Sequence, residues 1–127
     1  MQPVIGAAGE PQKWLNYPTG IPDLYFRAFA GEKSAVVGIE ITNSQGEQGA
    51  HLVAHLNTVQ GFLKAFTGED WHWLEAEDRP AQSLFYGTEL KSVSVFRQED
   101  WPTLISFFKP RLIALDAFWQ EAGWGFE

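Results

Sequence analysis

Two acidic residues are placed where they can do chemistry together. Pro22-Asp23 is followed, seventeen residues after the aspartate, by Glu40-Ile41-Thr42. Asp23 opens one stretch that reads as a β-strand, and Glu40 lies within the next. Two carboxylates brought together on neighbouring strands supply the hard oxygen ligands that a divalent ion such as Mg²⁺ takes. Such an ion activates water against a phosphate ester when a base or cation orients the water and stabilises the developing charge. Asp23 and Glu40 are therefore the candidate metal ligands. Thr42 shares the strand face of Glu40 by the period of two. Its hydroxyl can position a water but carries no charge. Arg27 is the cation left to give electrophilic support, or simply to pair with a carboxylate. The competing reading needs no metal: Asp23 caps the strand entry, and Glu40 is a solvated strand residue paired with Arg27.

The strands that would position these groups run from Leu24 to Ala30 and from Lys33 to Thr42. Both are rich in β-branched and aromatic residues, and Gly31-Glu32 between them suits a two-residue type II′ turn. That turn sets Leu24 against Ile39, Phe26 against Val37 and Ala28 against Ala35, an apolar face throughout. The other face then pairs Phe29 with Ser34, Arg27 with Val36, Tyr25 with Gly38 and Asp23 with Glu40. A slip of one residue would mix the faces. In the two-residue register the Asp23 and Glu40 Cβ atoms come within about 5 Å.

Other chemistry-bearing residues point less far. His51 and His55 are four apart on a helical stretch, a spacing that serves a metal when a third ligand joins, but helix-surface histidines explain them without one. His72 between Trp71 and Trp73 fits strand packing. Glu75, Glu77 and Asp78 read as a solvated acidic turn. Trp119, Trp124 and Phe126 could form a binding platform, though core and C-terminal packing accounts for them. Phosphate-binding glycine loops, a nucleophile elbow and a Ser/His/Asp spacing are all missing from the sequence.

Composition narrows the class. The chain has 127 residues, 45% of them hydrophobic, with six Trp, three Tyr and ten Phe. A chain of this size is expected to form a single domain that buries roughly two-thirds of its unfolded surface. It contains no cysteine, which removes disulfides and thiolate zinc sites from consideration. The sequence shows neither a signal segment nor a membrane-length apolar run, so a cytoplasmic protein is expected. The net charge of −7, with nine Lys and Arg thinly spread, disfavours nucleic-acid binding without forbidding a local basic patch.

The remaining elements follow from periodicity and punctuation. Residues 1–12 look irregular, and Lys13–Tyr17 reads as a short strand stopped by Pro18-Thr19-Gly20. Asn43 to Glu47 should cap a single helix from Gln48 to Phe66. Trp71–Ala76 and Gln82–Glu89 are expected strands, with a further short one at Val93–Phe96. Asp100 should cap a final helix with Pro102 in its first turn, kinked at Pro110, where the Ser106 carbonyl loses its backbone partner. The expected class is α+β: a mainly antiparallel twisted sheet carrying two helices.

Several segments carry a resemblance: Trp14-Leu15-Asn16-Tyr17-Pro18-Thr19-Gly20, Leu24-Tyr25-Phe26-Arg27, Gly38-Ile39-Glu40-Ile41-Thr42, and the tail from Asp100 to Trp119. Together they resemble an uncharacterised bacterial domain-of-unknown-function family with a PD-(D/E)XK nuclease-like fold. The resemblance implies that Asp23 and Glu40 occupy the carboxylate positions of that fold and that Thr42 stands where its lysine would be. Pro18 replaces a residue that is typically Lys in the family, and Asn43 follows Thr42 where His is frequent. Family members also carry an amphipathic helix ahead of the point where Met1 stands. One apolar sheet face would then be open to a protein partner or to a second copy, making a homodimer. The reading this supports is a non-catalytic interaction module with a degenerate nuclease-like site. The alternative is a Mg²⁺-dependent nuclease acting on DNA or RNA.

Overall fold

The computed structural model describes residues 14–74 and 83–126. Five strands, β1 (Trp14–Pro18), β2 (Leu24–Ala30), β3 (Ser34–Ile41), β4 (His72–Leu74) and β5 (Leu84–Lys91), form one sheet in the order β1-β2-β3-β5-β4. Every neighbouring pair is antiparallel. Helices α1 (Glu47–Thr58) and α2 (Gln60–Thr67) connect β3 to β4, and α3 (Trp101–Ala122) closes the chain, with 3-10 turns at Gln98–Asp100 and Gly123–Phe126. The class is α+β, as expected.

The central strand β3 is buried along nearly its whole length, which explains why Ser-Ala-Val-Val-Gly-Ile-Glu-Ile is almost continuously apolar. Its Ala35, Val37, Ile39 and Ile41 join Leu24, Phe26 and Ala28 of β2 in the main core, together with Leu52 and Leu56 of α1, Leu63 of α2, and Leu115 and Phe118 of α3. Phe26 meets Trp119 edge-on at 5.5 Å, so this is the helix-covered face. The expected apolar face is therefore the observed one.

The register is not the expected one. Leu24 pairs with Ile41, Phe26 with Ile39 and Ala28 with Val37, two residues along from the anticipated partners. The loop is Glu32-Lys33, closed by Gly31 N–H donating to the Ser34 carbonyl at 2.9 Å. A type II′ turn would need Gly31 at positive φ, and the positive-φ glycines among the described residues are Gly20 and Gly68. Gly31 instead ends the ladder, and its carbonyl accepts the Val95 N–H at 2.9 Å. A shift of two residues leaves every side chain on its own face, so the face assignment survives the error.

Four local expectations are corrected. The single helix is two, parted at Val59 (φ −107°, ψ 11°). Thr58 Oγ1 donates to the His55 carbonyl at 2.6 Å, competing with the Val59 N–H for the same acceptor. The break lets Phe62 and Phe66 both reach Phe118, at 6.0 and 6.1 Å. Val93–Phe96 is no strand: Ser92 and Val93 donate to the Lys33 carbonyl, tying the segment to the hairpin tip rather than to a ladder. The residues before α1 offer no side-chain cap, and Gly46 is the N-cap. Asp100 is the N-cap of α3 by position but makes no side-chain cap bond; its Oδ2 accepts the Ser94 N–H at 2.9 Å and pairs with Arg97. Pro102 does lie in the first turn, and α3 continues through Pro110, where Arg111 Nη1 donates to the Phe107 carbonyl at 2.9 Å.

Candidate functional site

Arg27, Gly38 and Glu40 share the sheet face opposite the helix-covered core, together with Val36 and Phe85, which are buried outside that core. Gly38 lies directly across from Gly87, and a side chain on either would run into the other strand. A Cβ on Gly38 would meet the Tyr86 carbonyl, stand 2.6 Å from Gly87 Cα and press on the Phe85 ring at 2.9 Å. The two glycines thus let β3 and β5 approach closely while Phe85 lies over them.

Glu40 is 1% exposed. Its Oε1 accepts Arg27 Nη1, and its Oε2 accepts Ser83 Oγ at 2.8 Å. In the ladder Glu40 stands across from Tyr25 and Arg27 across from Gly38, so the ion pair is a diagonal. The residue directly across from the arginine is a glycine, so no β3 side chain stands between Arg27 and Glu40 at that position. The guanidinium carbon also lies 4.8 Å from the Tyr25 ring centroid. The expectation of a solvated Glu40 is overturned: the sheet buries it, and the cation it pairs with is the anticipated Arg27.

Asp23 belongs to a different set of contacts. It sits just ahead of β2 with φ +68°, a left-handed conformation that aspartate tolerates better than most residues. Its carbonyl accepts the Thr42 N–H at 2.9 Å, and its Oδ1 accepts Thr42 Oγ1 at 3.1 Å. The residue facing Asp23 is therefore Thr42, and the expected direct Asp23–Glu40 pairing does not occur. Thr42 fastens the strand entry through these two contacts. Among the described residues no group of three or more His, Asp or Glu is arranged to hold a metal ion.

The secondary candidates are separated by the fold. His51 is exposed, whereas His55 turns edge-on to Phe126 at 4.5 Å. His72 is exposed at the start of β4. Trp119 and Phe126 stack on each other at 5.4 Å within the core margin, as packing residues. Glu75, Glu77 and Asp78 and the Trp124 side chain lie outside the described residues.

Residues that the sequence did not single out include Ser83 and the Glu69–Arg111 pair. Ser83 precedes β5 by one residue, and no motif marks it; only the β3–β5 register brings it to Glu40. Glu69 takes hydrogen bonds from Arg111 Nε (2.8 Å) and Nη2 (3.1 Å) and from Trp71 Nε1 (2.8 Å). Burial works to raise the Glu69 pKa, but the Arg111 and Trp71 hydrogen bonds and the Arg111 charge outweigh it, holding the carboxyl below its usual range.

The family described as Domain of unknown function (DUF4268) matches residues 3–122. The chain belongs to this family. No curated protein and no solved structure matches the chain. The DUF4268 match spans Asp23, β2 and β3 with Glu40, and reaches the end of α3.

Proposed function

We propose that this DUF4268 member is a non-catalytic interaction module whose strand-borne acids are a degenerate site of the PD-(D/E)XK nuclease kind. One observation carries the reading: both Glu40 oxygens are already engaged, by Arg27 and by Ser83, on a buried carboxylate. Mg²⁺ asks for near-octahedral oxygen ligation and gives up its water reluctantly. To bind here it would have to displace a guanidinium and a hydroxyl at once. With Thr42 in place of a lysine, the cation left to steady an attacked phosphate is Arg27, which is already paired with Glu40.

The interaction half of the proposal rests on the start of α3. Phe96, Trp101 and Ile105 are 61%, 42% and 62% exposed. Trp101 and Ile105 are one helical turn apart on one side of α3. Trp101 Nε1 donates to the Val95 carbonyl at 2.8 Å, which fixes the indole before any partner arrives. Pre-oriented aromatic anchors of this sort dominate protein interfaces. The partner is a protein, a second copy of this chain among the choices.

Calorimetric titration with Mg²⁺ and Mn²⁺ tests the catalytic question. No binding heat is expected, and no cleavage of single- or double-stranded DNA or RNA. Saturable heat that disappears in Glu40→Ala, accompanied by metal-dependent cleavage, would replace this reading with a Mg²⁺-dependent nuclease using Asp23 and Glu40. Sedimentation velocity tests the surface: association is expected to weaken in Trp101→Ala, and a wild-type monomer that captures no partner would remove the module.

A further inference from the structure

We propose that the cleft between α2 and the β4–β5 edge of the sheet binds a small, flat, uncharged heterocycle of the nucleobase type through the Tyr86 hydroxyl. This site is separate from the Arg27–Glu40 pair. Tyr86 pairs with Ile39 on the helix-covered face, whereas Glu40 points to the other side of the sheet.

The cleft has a volume of about 330 Å³ and is lined by Gln60, Lys64, Asp70, Trp71, His72 and Tyr86, among others. That is the lower end of the range for small-molecule sites and fits one ring system. Tyr86 is 5% exposed, and its ring meets Trp73 at 5.2 Å, yet no described residue hydrogen-bonds its hydroxyl. The ring is buried while the hydroxyl, in the cleft wall, has no partner among the described residues and is free to bond a ligand atom. Burial, and then the charge of Asp70, push the Tyr86 pKa up. The group therefore keeps its proton at neutral pH and meets the ligand as a donor, which calls for a ring nitrogen or a carbonyl oxygen opposite it.

Charge decides against an anion. Lys64 is neutralised by Asp70 at 2.9 Å, and Glu69 by Arg111 at 2.8 Å, so the wall carries no free cation for a phosphate or carboxylate. Trp71, 5% exposed, adds aromatic surface beside Tyr86. The exposed imidazole of His72 and the Gln60 amide, whose nitrogen is held by Asn57, stand at the polar rim. Aromatic walls, one unpaired donor and a balanced rim suit a planar neutral ring.

The test is a two-dimensional NMR titration of the full chain with adenine, uracil and nicotinamide, and with inorganic phosphate as the charged control. Saturable shifts at residues 60–72 and 86 are expected with at least one heterocycle at millimolar concentration, and none with phosphate. Tyr86→Phe should weaken that binding tenfold or more while melting at or above the wild-type temperature, because the hydroxyl it removes is unpaired. Three outcomes would overturn the proposal: no saturable shift with any heterocycle, equal binding by the phenylalanine variant, or a clear drop in its melting temperature. Preferential binding of phosphate would do the same.

Discussion

Arg27 and Glu40 meet diagonally across β2 and β3, with Gly38 directly opposite the arginine. The pair places a carboxylate that is 1% exposed beside a guanidinium whose side chain is 25% exposed. A buried charge is tolerable only while its partner remains, and removal of one member usually costs about 3–5 kcal/mol.

Arg27→Met is therefore expected to destabilise the fold by about 3 kcal/mol, the lower end of that range, because the arginine keeps contact with water. Glu40→Gln should cost less, since the amide can still accept from Ser83. Combining the two should recover part of the loss. Urea unfolding of the four proteins gives the coupling energy; additive losses would mean that the pair contributes nothing jointly.

The same geometry predicts how metal binding could be uncovered. With Arg27 replaced by alanine, Glu40 loses a competitor for its Oε1, and Mn²⁺ should bind weakly where the wild type gives no heat. Adding Asp23→Asn to Arg27→Ala should leave that heat almost unchanged, because Asp23 is engaged with Thr42. A large loss would show the two acids acting on one ion.

Close strand approach makes a sharper claim at the glycines. Gly38→Ala and Gly87→Ala should each cost several kcal/mol, on the order of the largest core substitutions, since the added carbon meets backbone atoms that cannot swing away. Gly61 of α2 is the control. Nothing lies within 4 Å of its added Cβ, so Gly61→Ala should stabilise by up to about 1 kcal/mol. Thermal unfolding of the three variants settles the ordering.

The pH dependence follows from Glu69. Its folded pKa lies below the ordinary value of 4.5, so the stability it contributes is complete above that pH and is lost as pH falls through the folded value. Arg111→Met removes two of the three lowering contributions, leaving the Trp71 hydrogen bond. Its acid-unfolding curve should accordingly be flatter below pH 4.5 than that of the wild type, and equal slopes would contradict the assignment. On the alkaline side, burial raises the pKa of Tyr17 and, with the Asp70 charge, that of Tyr86, so stability should decline as pH rises above 10.

Much of this architecture is legible in the chain itself. Alternating apolar residues from Leu24 to Ala30 and from Ala35 to Ile41 dictate which side chains are buried together, because a strand presents every second residue to one face whatever it pairs with. The class, the face on which Arg27 and Glu40 meet, and the final helix with Pro102 in its first turn all follow from such local periodicities. Other features depend on contacts remote in sequence. The observed hairpin register goes with residues 92–95 bonding to the Gly31 and Lys33 carbonyls, contacts that no local turn preference encodes. The helix break at Val59 served packing on Phe118. The state of Glu40 was decided last of all: a strand glutamate reads as solvated until a register brings Arg27 and Ser83 to it and the sheet closes water out. Side-chain direction is a property of a few consecutive residues, whereas burial and partnership belong to the assembled sheet.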